Sequence, residues 1–378
     1  EYYIGKDYSL GGITLLCRFD GQRVTMASQM SEADETVSSL YSVKSEQATM
    51  LSFDTYNYLV HYFGQPQGSM SDDPNGTLGG DYEFIISSAS AERIELKGKK
   101  YGNRIVMKAL TEDQTWKQYL TRIKKVEDDA FFYEYDLLMD GLYTGQMLRS
   151  NYTFIVTYYD EIGKVHQKTV PFMFTADGLR FHEPVTIDGQ TMQNFVWKNE
   201  LISFVCTDEG ATGVKLAGVY TAGYQSYDYY PGTYQMDFYR LNDETGQLEV
   251  ASQEVRLLKN EDGKSYWLKG LEYDILVMYD KPRGGLSVSP QLLEKVQGGY
   301  VYLAMWDVMN DYVLRNKSIG LISYATTNGI YLVDNGVWMG EVSGFIFGVY
   351  NSQEEDAAFI GYTDAVASIR LVKKTIEE

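Results

Sequence analysis

Cysteine is scarce in this sequence, and its scarcity argues against a fold held together by disulfides. The two cysteines among 378 residues, Cys17 and Cys206, each stand at the end of an apolar run. Small secreted folds that depend on disulfides carry many more, and a thiol in an apolar run behaves as a small apolar side chain. We therefore favour two buried thiols over a disulfide.

Long apolar segments are also lacking. No stretch approaches the roughly 18 apolar residues that a membrane-spanning helix needs, so we expect the chain itself to be soluble. The sequence starts at Glu1 without a methionine. We take this start as an indication of a processed secretory precursor.

Motifs of the common catalytic classes are missing. His61, His166 and His182 are scattered, and none belongs to an HExxH zinc motif. The sequence also lacks the GxSxG turn of serine hydrolases and the glycine-rich loops that hold phosphates. No catalytic residue is assigned, and the sequence favours a protein without catalysis over an enzyme.

Basic residues are too few to balance the acidic ones. The 33 lysines and arginines face 52 aspartates and glutamates, which gives a net charge of −19. A field of that sign repels phosphate backbones and anionic head groups. We therefore expect no nucleic-acid partner.

Tyrosine is abundant, with 33 residues, most of them in short β-branched and aromatic runs between glycine-rich turns. Arg93 to Lys97 alternates polar and apolar side chains as a half-buried strand does, and the pair Asp20-Gly21 separates two runs in the manner of a hairpin. These patterns predict an all-β, mainly antiparallel protein. Its expected architecture is a tandem of lipocalin-like barrel or sandwich modules with one or two short helices.

Two segments are predicted to be helical. Apolar residues recur at three- and four-residue spacing from Glu112 to Val126, and Thr111 with Gln114 forms a capping box at the start. Ser289 and Pro290 supply an N-cap and a first-turn proline for a short second helix that ends at Val296.

Three domains are expected from the order of these segments. Residues 1–128 predict an N-terminal β-barrel-like domain that ends in the longer helix, and residues 211–378 predict a C-terminal β domain. Residues 129–210 between them predict an antiparallel β segment that is too short to form a barrel alone and pairs with a neighbour.

One cluster of aromatic residues is a candidate ligand-binding platform. Tyrosine rings stack on flat ligands or sugar faces, and a nearby carboxylate binds the ligand edge through hydrogen bonds. The competing interpretation is that the rings pack against the next strand. The candidate binding residues are Tyr224, Tyr227, Asp228, Tyr229 and Tyr230.

A loop rich in carboxylate and amide oxygens is a candidate calcium site. The residues concerned are Asp72, Asp73, Asn75 and Asp81. Calcium prefers such oxygens, although the spacing is not that of an EF-hand and the same residue pairs are ordinary turn formers. No other cofactor is expected.

Acidic residues in or beside strands leave a hydrolase as an alternative. Glycosidases use two carboxylates about 5 to 10 Å apart across a cleft. Glu134, Asp136, Glu183 and Asp237 are the acids considered. Solvated faces and turn caps are the competing interpretation of all four.

Several motifs together resemble a known family. They are Leu51 to Asn57 followed by His61, Gly79 to Phe84, Leu96 to Lys100 with Asn103, Gly178 to Pro184 with Phe195 to Trp197, and Gly285 to Val288 with Gln291. They resemble the Bacteroidetes lipoproteins grouped as domain of unknown function 4302, over nearly the whole chain. The family brings no established activity and no catalytic residues.

The resemblance implies a location. It implies a lipoprotein of the outer membrane, on the cell surface or in the periplasm, held to the membrane only by a lipid anchor that these residues do not include. It also implies association with SusC/SusD-like nutrient-uptake complexes.

The leading functional prediction is therefore a noncatalytic extracytoplasmic surface lipoprotein with a binding or accessory role in the acquisition of a glycan or peptide. The alternatives are a secreted glycoside hydrolase that uses two carboxylates and a structural component of a surface complex.

Overall fold

The computed structural model describes the chain except for residues 46–47, 67–76, 111–113, 161, 243, 355 and 375–378. It is all-β, with three antiparallel barrel-like sheets in tandem and two short helices. The predicted fold class is confirmed. The described residues divide into two compact units, Glu1–Val219 and Tyr220–Glu378.

The first sheet of unit 1 has nine strands. They are β1 (Tyr2–Ile4), β2 (Gly11–Ile13), β3 (Leu15–Asp20), β4 (Arg23–Ser28), β5 (Val37–Ser45), β6 (Thr49–Phe53), β7 (Glu83–Ala89), β8 (Arg93–Gly98) and β9 (Arg104–Lys108). Their order is β2-β1-β9-β8-β7-β6-β5-β4-β3. The two end strands, β2 and β3, follow each other with only Thr14 between them, so the sheet curves into a nearly closed barrel.

Apolar side chains fill this first sheet on its inner face, among them Tyr2, Met26, Phe53 and Phe84. A cavity of about 500 Å³ is lined by residues of β3 and β9, among them Leu16 and Val106. The short helix α1 (Tyr58–His61) follows β6, and its N-cap residue Asn57 accepts a hydrogen bond from the Leu59 amide.

The longer helix, α2 (Trp116–Asp129), joins the first sheet to the second. It begins four residues later than predicted, because the capping box that forms is that of Thr115 and Gln118. The predicted cap at Thr111 lies outside the described residues. Leu120, Ile123 and Val126 form the buried stripe, as the three- and four-residue spacing predicts.

The second sheet of unit 1 is a closed barrel of eight strands in sequence order. Residues 129–210, which the sequence predicts to be too short for a barrel alone, supply seven of its strands of 4 to 10 residues, and an eighth strand that begins at Val214 closes it. The strands are β10 (Glu134–Met139), β11 (Leu142–Ser150), β12 (Thr153–Tyr159), β13 (Val165–Phe174), β14 (Gly178–Ile187), β15 (Gln190–Lys198), β16 (Ser203–Cys206) and β17 (Val214–Val219).

The closing contact of this barrel is the pairing of β10 with β17, which runs from Glu134 opposite Val219 to Met139 opposite Val214. The last strand therefore lies beyond the predicted boundary at residue 210. Rings fill the interior, including the stacked pair Phe154 and Phe172, whose centroids are 4.4 Å apart.

Unit 2 contains the third sheet, of twelve strands. They are β18 (Gly232–Leu241), β19 (Leu248–Lys259), β20 (Ser265–Lys269), β21 (Ile275–Asp280), β22 (Gly285–Val288), β23 (Gln291–Val296), β24 (Gly299–Asp307), β25 (Tyr312–Leu314), β26 (Leu321–Thr326), β27 (Gly329–Asp334), β28 (Gly344–Tyr350) and β29 (Phe359–Lys373).

The pairing of β18 with β29 joins the ends of an eight-stranded ring, β18-β19-β20-β21-β22-β26-β27-β29. The strands β28, β24 and β23 continue the sheet from β29, and β25 pairs with the end of β24 that β23 leaves unpaired. Strand β29 is 15 residues long, and this length lets it contact β27, β28 and β18.

The prediction of a second helix is wrong. Residues Gln291–Val296 form β23, which pairs antiparallel with β24. Pro290 precedes this strand, a position where its missing N–H is tolerated. A serine followed by proline starts a strand here as readily as a helix, and only the partner strand decides between them.

Both cysteines carry free thiols: Cys17 is half-buried and Cys206 is buried. Burial raises the pKa of the Cys206 thiol to about 11, so it stays protonated at neutral pH. Among the described helices, none has the length and apolar character required to cross a membrane.

Candidate functional site

The predicted tyrosine platform is largely a packing cluster. Tyr227 stacks on Tyr266 with ring centroids 4.7 Å apart, and Tyr230 meets the same ring at 6.1 Å. Tyr230 is only 1% exposed, and its hydroxyl donates to the Gly284 carbonyl at 2.8 Å. Neither the ring nor the hydroxyl of Tyr230 faces solvent, and its role in ligand binding stays a prediction.

The hydroxyls of the neighbouring rings are also directed at backbone carbonyls. Tyr227 donates to the Ser265 carbonyl at 2.8 Å, and Tyr279 donates to the Gln225 carbonyl at 2.9 Å. Tyr224 lies beside them, 3.1 Å from the Tyr279 hydroxyl. Burial raises the pKa of Tyr227 and Tyr224, so both hydroxyls stay protonated.

The outer edge of the cluster remains exposed. The ring of Tyr229 is partly open to solvent, with the Lys373 ammonium 5.3 Å from its centroid. Asp228 lies on the surface and pairs with Lys259. The prediction that these two residues bind a ligand stays a prediction.

The structure gives Asp81 a different role from the predicted calcium ligand. Its carboxylate accepts hydrogen bonds from the backbone amides of Lys100, Tyr101 and Asn103 and from the Asn103 side-chain amide, at 2.6 to 3.2 Å. N–H donors therefore contact both oxygens, and the calcium site stays a prediction. Asp72, Asp73 and Asn75 lie outside the described residues, and no group of three or more potential ligands forms in the part of the chain that is described.

The candidate acids Glu134, Asp136 and Glu183 lie in unit 1, and Asp237 lies in unit 2. Glu134 and Asp136 stand two residues apart on β10, on the outer face of the barrel, because Tyr135 and Leu137 point inward. Burial and the Glu134 carboxylate raise the pKa of Asp136. Glu183 lies 3.8 Å from His182 on β14, and Asp237 in unit 2 pairs with Arg370 at 2.7 Å.

A groove of about 650 Å³ on unit 2 is the better candidate site. We call it the aromatic groove, and it is lined by Leu241, Trp306, Asp311, Val313, Arg315, Ile346, Tyr350, Ala357, Phe359 and Tyr362. Its volume lies within the range of about 300 to 1,000 Å³ typical of small-molecule sites. It lies over the outer face of the four paired strands β25, β24, β28 and β29.

Strand alternation places the groove residues on this outer face. On β24 the residues Val301, Leu303 and Met305 point into the core, so Trp306 points outward. On β28 Phe345 and Phe347 point inward, and Ile346 and Tyr350 line the groove. The outward aromatic residues therefore come from strands that are distant in sequence but adjacent in the sheet.

Small residues create the depression between these larger ones. Gly348 pairs with Tyr362, and a Cβ atom at Gly348 would lie 2.9 Å from the Tyr350 ring and 3.0 Å from the Phe359 ring. Glycine at this position therefore lets those two rings approach each other, with centroids 5.4 Å apart. Ala365 and Ala367 on β29 pack with Trp306 and Ile346 in a small buried cluster.

Arg315 forms the charged wall of the groove. Its guanidinium carbon lies 4.2 Å from the Tyr350 centroid and 4.8 Å from the Tyr302 centroid, and a guanidinium N–H donates to the Glu354 carbonyl. Contact with two ring faces fixes the orientation of this side chain. Burial raises the pKa of Tyr350, and the Arg315 charge opposes that rise.

The groove also has polar groups for orienting a ligand. Asp311 lies exposed at the turn between β24 and β25. The buried Trp306 indole N–H has no hydrogen-bond partner among the described residues. Aromatic faces with a few fixed polar groups are the usual composition of a small-molecule site.

Sequence reasoning missed the aromatic groove because its residues are spread from Leu241 to Tyr362. One signal is present in the sequence from Tyr300 to Trp306, where side chains alternate as in a strand. There Tyr300, Tyr302 and Trp306 share the face opposite Val301, Leu303 and Met305. Aromatic residues on the outer face of a strand indicate either further packing or a binding surface.

Two protein families match the chain. The family described as Domain of unknown function (DUF4302) matches residues 1–199, and one described as Domain of unknown function (DUF4987) matches residues 207–348. The later resemblance motif, residues 285–291, therefore falls in the second match and not in the first. No curated protein and no solved structure matches the chain. Because the first match covers more than half of the 378 residues, the chain belongs to the DUF4302 family.

Proposed function

We propose that this protein is a noncatalytic binding protein for neutral glycans and that the aromatic groove of unit 2 is its binding site. The observation that carries the proposal is the grouping of Trp306, Tyr350, Phe359 and Tyr362 with a fixed guanidinium in one groove of about 650 Å³. Sugar rings present flat C–H faces that stack on aromatic side chains, and their hydroxyls bind to charged groups at the edge.

The exposed rings are those available to a ligand. Phe359 is 45% exposed, and Tyr362 is also exposed. Tyr350 and Trp306 are buried and form the base of the groove. A ligand therefore stacks on Phe359 and Tyr362 and reaches Arg315 and Asp311 with its polar edge.

Charge favours a neutral ligand over an anionic one. The aromatic groove carries one positive side chain, Arg315, and one negative side chain, Asp311. The whole chain has a net charge of −19, so its field opposes the approach of polyanions. A neutral glycan avoids that repulsion and needs only stacking and hydrogen bonds.

The cellular setting is part of the same proposal. A glycan-binding accessory lipoprotein on the outer membrane, in the service of a SusC/SusD-like uptake complex, fits the family resemblance and the absence of catalytic motifs. Copurification of the full-length protein with its membrane partners tests this setting. It also tests the alternative of a structural component, for which partners copurify while no glycan binds.

The glycoside hydrolase is supported by one observation, the raised pKa of Asp136 beside Glu134. A general acid requires such a shift. However, the two acids stand side by side on one strand of a convex face, whereas a glycosidase holds its acids on opposite sides of the scissile bond. We expect no release of reducing sugar from any glycan, and release that Asp136→Asn abolishes would establish the hydrolase.

The binding proposal is tested with a panel of neutral soluble glycans, a matched pair of variants and titration calorimetry. Phe359→Ala removes an exposed ring from the groove. Tyr324→Ala removes a 64% exposed ring from β26, which does not line the groove. We expect Phe359→Ala to weaken binding roughly tenfold, the worth of one stacking contact, and Tyr324→Ala to bind as the unchanged protein does. Equal affinities for both variants would refute the assignment of the site.

A further inference from the structure

A second, smaller cavity adjoins the aromatic groove. We call it the polar cleft, and it is lined by Arg240, Leu241, Glu272, Thr363 and Asp364, with a volume of about 270 Å³. Leu241 lines both cavities. The two cavities therefore meet at Leu241, and Tyr362 of the groove and Thr363 of the cleft are consecutive residues of β29.

The two cavities differ in volume. At about 650 Å³ the aromatic groove has the size of a complete small-molecule site, whereas the polar cleft, at about 270 Å³, falls below the usual range of about 300 to 1,000 Å³. The cleft is therefore smaller than a typical complete site for a small molecule.

The two cavities differ in chemistry. The lining of the groove includes four aromatic side chains, whereas that of the cleft includes none. In the cleft Arg240 pairs with Asp364 at 3.1 Å, and the Thr363 hydroxyl donates to the Glu272 carboxylate at 2.7 Å. The buried Arg240 Nε has no hydrogen-bond partner among the described residues.

The charges of the combined surface nearly cancel. The lining of the two cavities carries two positive side chains, Arg240 and Arg315. It carries three negative side chains, Asp311, Glu272 and Asp364. Hydrogen-bond donors and acceptors are thus plentiful, while the net charge is about that of a single carboxylate. Such a surface suits a chain of hydroxyl-bearing units without formal charge.

We propose that the aromatic groove and the polar cleft form one elongated site for an unbranched neutral oligosaccharide. This inference rests on the proposed glycan-binding function and adds the shape of the ligand. One end of the oligosaccharide stacks on Phe359 and Tyr362. The other end crosses Leu241 and exchanges hydrogen bonds with Thr363, Glu272 and Arg240.

Chain length is the variable that tests this inference. The probes are cello-, malto-, manno- and xylo-oligosaccharides of two and six units, titrated into the full chain. The six-unit member of the series that binds is expected to bind roughly tenfold more tightly than the two-unit member, because it gains the contacts of the cleft.

Two variants assign that gain to the polar cleft. Thr363→Val removes one hydroxyl, and Glu272→Gln removes one charge; both residues are exposed, so the fold tolerates either change. Each variant is expected to lower the affinity for the six-unit ligand roughly three- to tenfold and to leave the affinity for the two-unit ligand unchanged. Tyr324→Ala, outside both cavities, serves as the control that changes neither ligand.

The outcomes separate this inference from the function on which it rests. Equal affinity for two and six units, or an equal loss for both lengths in Thr363→Val, would overturn the elongated site and leave glycan binding by the groove intact. If none of the four oligosaccharide series binds, both the proposed glycan-binding function and the elongated site are contradicted.

Discussion

At the scale of the residue, the carboxylate of Asp81 organises the turn between β8 and β9. Its oxygens accept from four N–H groups of Lys100, Tyr101 and Asn103, and Asn103 in turn accepts from the Gly5 amide at 2.8 Å. A Cβ atom at Gly98 would lie 1.9 Å from the Asp81 carboxylate. Two of the family motifs, Gly79 to Phe84 and Leu96 to Lys100 with Asn103, therefore meet around one buried acid.

Replacement of Asp81 by asparagine should destabilise unit 1. The variant places an amide where a charged acceptor met several donors, at a cost of about 2 to 3 kcal/mol. For a unit of this size that corresponds to a fall of about 5 to 10 °C in the melting temperature. Differential scanning calorimetry measures this fall in melting temperature. The control is Glu83→Gln, which loses a surface ion pair to Lys99. We expect this control to lower the stability of unit 1 by less than about 1 kcal/mol. An unchanged transition in Asp81→Asn would contradict this role.

His182 should make the stability of unit 1 dependent on pH. Its ring packs between Tyr3 and Tyr8 at 4.3 and 4.2 Å, and burial, followed by the Arg104 charge, lowers its pKa below the ordinary 6.5. Because the unfolded chain then binds more protons than the folded chain, the neutral ring contributes stability above pH 6.5. That contribution is lost as the pH falls through the lowered value.

The measurement compares the unchanged protein with His182→Phe, which keeps a ring but cannot titrate. We expect the melting temperature of unit 1 in the unchanged protein to fall relative to that of the variant as the pH drops from 7.5 to about 5.5. A constant difference across this range would show that protonation of His182 has no role in stability.

The tyrosines near Tyr227 show what a sequence reveals at this scale and what it does not. Their spacing predicted a local aromatic cluster, and Tyr224, Tyr227 and Tyr230 do lie together. The direction of each hydroxyl depends on carbonyls of β20 and the turn before β22, far away in sequence. Spacing alone could therefore not separate a binding platform from a packed cluster.

At the scale of the element, the sequence predicts helix α2 but places its start four residues too early. The motif Thr-x-x-Gln occurs twice, at Thr111 and at Thr115. Each copy can cap a helix, and the apolar stripe fits a start at either. Tertiary packing of Leu120 and Ile123 decides between them, because it adds stability only to the turns that contact the sheets.

Removal of the observed cap should destabilise this helix. Thr115→Ala loses the hydrogen bond to the Gln118 amide and should cost about 1 kcal/mol, or roughly 2 to 4 °C in the melting temperature of unit 1. Thr121→Ala, on the exposed face of the same helix, should be neutral or slightly stabilising. An equal effect of the two changes would argue against the cap at Thr115.

Glycine at position 344 allows β28 to lie close to β29 beside the aromatic groove. A Cβ atom there would stand 2.0 Å from the Val366 carbonyl oxygen, a backbone atom that cannot rotate away. Gly344→Ala should therefore lower the stability of unit 2 by about 1 to 3 kcal/mol. Gly361→Ala, with nothing within 4 Å of the new methyl group, should change it little, and thermal unfolding distinguishes the two. A Gly344→Ala protein as stable as the unchanged one would contradict this packing.

At the scale of the whole molecule, alternation and turn chemistry predicted an all-β chain of tandem barrel-like sheets. The same patterns underestimated the middle segment, because closure of a barrel depends on the pairing of β10 with β17, about 80 residues apart. The aromatic groove depends on a similar distant pairing. Trp306, Tyr350 and Phe359 are neighbours only because β24, β28 and β29 pair with one another.

The central claim is that the work of this protein is done by the aromatic groove on unit 2. The most direct test is amide hydrogen exchange of the intact chain, with and without each of the neutral oligosaccharides used above. We predict slowed exchange in β25 and in residues 357–362 with at least one of them. Protection confined to the tyrosines near Tyr227, or no protection with any of them, would contradict the claim.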